Sequence, residues 1–337
     1  MEKIDFVVTW VDSSDPKWIE EYSKYRGIQP QGDKARFRNW DFFKYWFRAV
    51  ELYAPWVNKV FLVTNGKNPD WINTDHPKLV LVKHSDFIPE KYLPTFNSIT
   101  IELHLCKIPG LSEQFVYFND DMYINSIVTP SYYFKNRLPC DFNVETIFNN
   151  TRYDPVNRFN IRIQMFCDVS VLNYHFNRKQ VVRYSPKKWL GLHLGIKGLF
   201  CSLLFTLTNR DYFEGFVIRH TEQPMLKSVL EELWQKESEM MDASCTRFRN
   251  DVSLNPYIIR YWQFATGKFY PIKLFFHKVD LSLSNLTLIR KKMLNPKVRS
   301  LCLNDTPRFS ESDFQKIKHE VKTLFDIKLS QKSSYEI

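Results

Sequence analysis

Glycine is scarce, at nine residues in 337. A loop that wraps phosphates in backbone amides needs several glycines close together. The chain has no Walker motif, no Gly-x-Gly-x-x-Gly run and no nucleophile elbow, which argues against the P-loop and α/β-hydrolase classes. Cysteine is sparse and scattered. Cys106, Cys140, Cys167, Cys201, Cys245 and Cys302 never fall in a Cys-x-x-Cys pair, so neither a zinc site nor a disulfide framework is expected, only reduced, buried thiols. No signal-peptide pattern precedes Glu2-Lys3-Ile4-Asp5, and the expected location is the cytoplasm.

Clean apolar runs of membrane-spanning length are also missing. The strongest candidate, Trp189 to Leu207, is broken by His193, Lys197 and three glycines. It reads first as a helix covering the active site. The other reading is a peripheral, interfacial membrane contact beside Lys187 and Lys188.

Aromatic residues, by contrast, make up 16% of the chain and hydrophobic residues 44%, enough for a sizeable globular core. The formal charge of +10 favours anionic partners such as nucleotide phosphates, acidic glycans or an anionic membrane. The charge is scattered and no nucleic-acid motif accompanies it, so nucleic acid is not an expected partner.

Short apolar runs end repeatedly in polar tips. Ile4 to Val11 reads as a strand running into Asp12-Ser13-Ser14-Asp15, with Pro16 opening a helix. Trp40, Phe43, Phe47, Val50 and Ala54 recur at helical spacing up to Pro55. Val57 to Thr64 and Pro77 to Lys83 read as strands, and Asn97-Ser98 opens a helix. Strands alternating with helices predict an α/β fold built on a mainly parallel sheet. From about 125 to 215 the pattern loosens into an aromatic, basic stretch. Arg178, Lys179, Arg183, Lys187 and Lys188 there form a solvated face, or one that holds an acceptor or a membrane.

Gln114-Phe-Val-Tyr-Phe-Asn-Asp-Asp-Met-Tyr-Ile124 is the most informative stretch. An apolar strand delivers Asn119, Asp120 and Asp121 to its carboxyl end, where open α/β sheets collect ligands. Two carboxylates about 4 Å apart repel by roughly 4 kcal/mol at an effective dielectric near 20. A divalent cation or a cationic side chain would relieve that repulsion; a turn or helix cap is the plainer use of the same residues. Trp10 offers a flat face to a base or sugar, and Asp12 and Ser13 offer oxygens to a ribose or pyrophosphate. Asn97 opens a helix, either as a cap or beside a phosphate. Arg219-His220-Thr221-Glu-Gln-Pro224 reads as a helix start, whose dipole would keep the His220 imidazole neutral and suited to a base. Arg249, near carboxylates and a phosphate, would stabilise charge.

Taken in order, Ile4-Asp-Phe-Val-Val-Thr-Trp-Val-Asp12-Ser-Ser-Asp-Pro16 forms a first signature block. Arg36-Phe-Arg38, Ala54-Pro55-Trp56-Val57, Val63-Thr64-Asn65-Gly66, Leu93-Pro-Thr-Phe-Asn97-Ser98 and Tyr117-Phe-Asn-Asp-Asp-Met122 form a second. His220 with Glu232-Leu233 and Arg249 forms a third, and Cys302-Leu-Asn-Asp305 with Ser333-Ser-Tyr-Glu336 a fourth. Together these blocks resemble the Stealth family of sugar-1-phosphate transferases. The family includes bacterial capsular polysaccharide phosphotransferases and the Golgi N-acetylglucosamine-1-phosphotransferase of lysosomal enzyme tagging.

The resemblance implies a single catalytic domain resembling the GT-A (Rossmann-like) glycosyltransferases. Its core would be residues 1–124 and 216–337, with a helical basic insert at about 125–215. It implies transfer of a sugar-1-phosphate from a nucleotide sugar, commonly UDP-linked, to a hydroxyl of an acceptor glycan, polysaccharide or lipid-linked, with release of nucleoside monophosphate. Asp120 and Asp121 would hold Mg2+ (or Mn2+), or one of them would deprotonate the acceptor, with His220 as the other base candidate. Arg249, and Arg38 as a second candidate, would stabilise the transferred phosphate; Trp10, Asp12, Ser13, Asn97 and Asn119 would line the donor site. An ordinary metal-dependent glycosyltransferase releasing a diphosphate is the rival reading, and a non-catalytic glycan-binding protein a more distant one.

Overall fold

The computed structural model describes residues 2–27, 38–147, 161–207, 210–250, 252–273, 276–305 and 310–337. Arg36, at the head of the second signature block, lies outside them. The apolar runs become strands β1 (Ile4–Thr9), β2 (Val60–Thr64), β3 (Leu79–Lys83), β4 (Gln114–Phe118) and β5 (Met122–Ile124). A hairpin of β6 (Phe134–Lys135) and β7 (Leu138–Asp141) comes next. The remaining described strands are β8 (Gln223–Leu226), β9 (Tyr270–Pro271), β10 (Phe276–Asp280) and β11 (Ser300–Asn304).

The main sheet has the order β3-β2-β1-β4-β8. Its first three pairings are parallel, and β8 closes it antiparallel against β4. Every residue of β2 and β4 is buried, as expected of parallel strands covered on both faces. The helices α1 (Pro16–Arg26) and α2 (Phe43–Tyr53) connect β1 to β2. Asp15 caps α1 by accepting from the Lys17 amide, and Pro16 occupies the first turn, where its missing N–H costs nothing. In α2, Phe43, Trp46, Phe47 and Val50 are buried. Trp46 meets Phe118 of β4 edge-on at 5.3 Å, and Phe118 lies 4.9 Å from Phe6 of β1. Helix and sheet thus share one aromatic core.

A second sheet, β10-β11-β5, joins the first where the chain turns from β4 into β5 through Asn119, Asp120 and Asp121. The turn is pinned at both ends. The Met122 amide donates to the Asn119 carbonyl at 3.1 Å, and the Leu303 amide of β11 donates to the Asp121 carbonyl at 2.9 Å. The acidic pair therefore sits at a seam between two sheets, not on a free loop.

Two sequence expectations are corrected. Residues 223–226 form strand β8; the helix starts only at Lys227. Pairing with β4, from Gln114 opposite Leu226 to Tyr117 opposite Gln223, outweighs the helical spacing because it covers an otherwise open sheet edge. Pro224, which has no N–H to give, is tolerated because β8 is the last strand of the sheet. The second correction concerns the apolar stretch ending at Leu207. Its helix, Gly195–Leu207, leaves Ile196, Phe200, Leu203, Leu204 and Leu207 exposed, where an active-site cover would bury them. Earlier in the expected insert, β7 pairs with β9 and Tyr133 packs on Phe6 of the main sheet.

The C-terminal segment folds back on α2. Arg48 makes a two-pronged pair with Glu336 at 2.7 and 2.7 Å, both side chains nearly buried. Removing one partner strands the other charge in the interior, so Glu336→Ala is expected to cost about 3–5 kcal/mol in denaturant unfolding. A loss below about 1 kcal/mol would mean that the tail adds nothing to stability.

Candidate functional site

β1 and β4 are adjacent and parallel, with Val8 opposite Phe118, so the residues after each strand emerge at the same sheet edge. From β4 come Asn119, Asp120 and Asp121; from β1 come Trp10, Asp12 and Ser13. Buried Tyr117 bridges the two, donating to Asn119 Oδ1 at 2.6 Å and lying 3.2 Å from Thr9 Oγ1. Trp10 is half-buried, stacked on Phe43 with centroids 5.8 Å apart. Asp12 folds its own turn, accepting from Ser14 N at 3.0 Å and Ser14 Oγ at 2.6 Å.

Asp121 is the centre of the arrangement. Its Oδ2 lies 3.5 Å from His220 Nε2 and accepts from the Cys302 thiol at 3.4 Å. Its Oδ1 is buried without a protein partner. One donor atom from each of Asp121, His220 and Cys302 lies within 4.8 Å of the others. Burial, then the Asp121 charge, pushes the Cys302 thiol well above its ordinary range, so it stays protonated and donates.

Asp120 projects from the turn into solvent, yet protein surrounds it closely enough to disfavour its charge. That crowding, and next the charge of Asp121, raises its pKa to about 7.

A hard divalent cation such as Mg2+ or Mn2+ takes oxygen ligands. The unpartnered Asp121 Oδ1 is an oxygen that such an ion could take, whereas Asp120 is not among the residues whose ligand atoms lie together. A softer ion would use His220 and a deprotonated Cys302, but burial drives that thiol the other way.

His220 is held by its neighbours. Arg219, Thr221 and Glu222 are all buried, while the His220 side chain remains 31% exposed. Arg219 Nε donates to Thr221 Oγ1 at 2.6 Å and its carbonyl accepts from Tyr257. Glu222 accepts from Ser300 of β11. The segment enters β8 and lies at no helix N-terminus, so the dipole expected to act on His220 is absent. What the His220 ring meets instead is the Asp121 carboxylate, at 3.5 Å.

Sequence reasoning overlooked Glu102, on helix α3 (Ser98–Leu103). It is buried beside Ser98 and Tyr117, and feels the charges of Arg249 and His220. Arg249 Nη2 donates to Ser98 Oγ at 2.6 Å. Glu102 thus lies between the Arg249–Ser98 contact and the Tyr117–Asn119 contact. Arg38 approaches from elsewhere: it pairs with Asp305, just beyond β11, at 3.0 Å, and Trp40 Nε1 donates to the same carboxylate at 3.1 Å.

Of the two parts open to Asn97, the structure shows the cap. It is buried, caps α3 through the Ile99 amide, and gives its own amide to Thr246 O and Oγ1 at 3.2 and 3.3 Å. Both ends of its side chain are engaged, which makes it a support for the Arg249 loop and not a donor contact. Cys302, expected only as a buried thiol, proves to touch Asp121. A glutamate between Ile101 and Leu103 in an apolar helix was the available signal for Glu102; nothing local distinguishes Cys302.

Burial raises Glu102 from 4.5 to about 7. The folded state therefore holds this proton more tightly than the unfolded chain, and its stability falls as pH rises between those two values. At about 1.4 kcal/mol per pKa unit, the loss is about 3 kcal/mol. Glu102→Gln removes it, so the variant should lose correspondingly less stability than wild type between pH 4 and 8 in urea titrations. Parallel pH profiles for the two proteins would show that Glu102 is not held protonated.

A carboxylate–imidazole centre at the carboxyl edge of a mainly parallel sheet describes an α/β enzyme. Its sequence matches the profile of Stealth protein CR1, conserved region 1, at residues 2–29 and that of Stealth protein CR2, conserved region 2, at residues 36–140. It is 36% identical to a capsular polysaccharide phosphotransferase, WcwK, of Streptococcus pneumoniae, over 100% of this chain and 98% of that one. Identity is also 36% to the receptor polysaccharide phosphotransferase WefC of Streptococcus oralis, over 100% of both chains, and to the exopolysaccharide phosphotransferase cps2G of Lactiplantibacillus plantarum, over 99% and 96%. The chain belongs to the Stealth family and is a phosphotransferase. Among solved structures, the galactosyltransferase LgtC in complex with donor and acceptor sugar analogues aligns over 95% of both chains at 9% identity and a TM-score of 0.39, a likeness too distant to carry residue roles.

Proposed function

We propose that this enzyme transfers a sugar-1-phosphate from a nucleotide sugar, UDP-linked by preference, to a hydroxyl of an acceptor glycan in capsule or surface polysaccharide synthesis. The acceptor oxygen attacks the β-phosphorus. The bond between that phosphorus and the bridging oxygen of the pyrophosphate breaks, nucleoside monophosphate leaves, and a phosphodiester remains. The anomeric C–O bond is untouched, so the configuration of the sugar is retained.

The observation that carries this reading is the His220–Asp121 contact beside an unsatisfied Asp121 oxygen. Phosphoryl transfer asks for positioning and charge neutralisation more than for covalent chemistry. With Nε2 facing Asp121, His220 takes the acceptor proton at Nδ1, and the Asp121 carboxylate steadies the imidazolium that forms. Arg249, held by Ser98, stabilises the phosphate being transferred. Trp10, Asp12, Ser13 and Asn119 line the donor side, and Arg38 steadies the same edge through Asp305. A divalent cation on Asp120 and Asp121 would supply neutralisation of pyrophosphate charge. The whole chain acts as one catalytic unit at the inner face of the cell membrane.

Incubation with a panel of nucleotide sugars, Mg2+ and acceptor glycan tests the reading. Release of nucleoside monophosphate supports it. Release of diphosphate would make the enzyme a glycosyltransferase.

A further inference from the structure

The described part of the chain has no helix long and apolar enough to cross a membrane. Helix Gly195–Leu207 nevertheless carries an unusual load for an exposed position. Ile196 is 88% exposed, Phe200 62% and Leu207 78%, with Leu203 and Leu204 exposed between them. At about 100° per residue, these five side chains fall within an arc of roughly 100°. They form one continuous apolar stripe, not scattered surface residues.

The surroundings indicate what covers it. Between positions 178 and 210 the chain has seven Lys and Arg residues and no Asp or Glu; two of them, Arg178 and Arg210, are paired with Glu145 and Glu214. Arg183 and Lys187 are exposed, and Tyr184 beside them is 88% exposed. Thirteen helical residues span about 20 Å, short of the roughly 30 Å bilayer core. An apolar stripe, an exposed basic segment just before it in the chain and an exposed tyrosine suit a helix lying flat at an anionic lipid surface. A second copy of the chain would bring two basic segments together, which opposes pairing through this face.

We infer that the Gly195–Leu207 helix, with Arg183 and Lys187 on the segment that precedes it, docks the enzyme on an anionic bilayer surface. The stripe enters the headgroup boundary while the basic side chains meet lipid phosphates. None of these residues belongs to the Asp121–His220 centre, so docking and chemistry fail independently.

Flotation of the full-length protein with phosphatidylglycerol or phosphatidylcholine vesicles tests the inference. Wild type should float with the anionic vesicles and be released by high salt. Phe200→Glu/Leu204→Glu should lower vesicle binding by about tenfold or more while donor turnover in solution is unchanged. Arg183→Glu/Lys187→Glu should abolish the preference for phosphatidylglycerol. In wild-type protein, amides of 195–207 should gain protection from hydrogen exchange when anionic vesicles are added, a measurement that needs no variant to fold. Wild type left in solution beside anionic vesicles, or a stripe variant that floats as wild type does, would overturn the inference. So would a dimer that the stripe variant dissociates without any vesicle binding.

Discussion

Asp121→Asn should lower turnover by about 10³-fold or more while leaving the fold intact. The substitution preserves the shape of the side chain, and its oxygen can still accept from Cys302. What it removes is charge. Asp121 Oδ2 faces His220 at 3.5 Å, and Oδ1 is the buried oxygen that no protein group satisfies. An amide can neither steady an imidazolium nor offer an anionic ligand to a cation. Because the carboxylate is crowded by Asp120, losing its charge should be neutral or slightly stabilising. Measuring turnover and unfolding on the same preparation separates the two. Activity within about tenfold of wild type would remove Asp121 from the centre of the account.

His220→Ala should cost about 10²–10⁴ in kcat with little change in donor KM, as expected when a proton acceptor is lost but binding is kept. The His220 side chain is 31% exposed, and its neighbours are locked by Tyr257 and Ser300. The truncated site should therefore admit free imidazole, which should restore part of the rate. Arg249→Ala should instead weaken donor binding and turnover together, since its guanidinium stabilises the phosphate itself. If His220→Ala raised KM alone and ignored added imidazole, His220 would be a binding residue and another group would be the base.

Much of this centre was legible in the sequence because it lies where local pattern dominates. β1 and β4 are short apolar runs whose polar tips sit at the ends of buried strands, and the parallel pairing of Ile4 with Gln114 brings those tips together. The same reasoning failed where tertiary pairing outweighs local spacing. Residues 223–226 have apolar neighbours at helical intervals, but the open edge of β4 captures them as β8. Local pattern reads His220 at a helix start, whereas it precedes a strand and faces Asp121. Glu102 was missed because its importance arises from partners at 98, 117 and 249, which the fold assembles. Cys302 was missed because it becomes distinctive only through β11 pairing with β5, which brings it to Asp121. Asn97 reads as a cap or a phosphate contact, and local sequence cannot choose between them; the cap appears once Thr246 packs against it.

Where the β-phosphorus of the donor goes tests the central claim most directly. With a nucleotide sugar radiolabelled at the β-phosphate, the account predicts that the label moves into the acceptor glycan and that unlabelled nucleoside monophosphate is released. Label recovered in soluble nucleoside diphosphate, with none in the glycan, would contradict it.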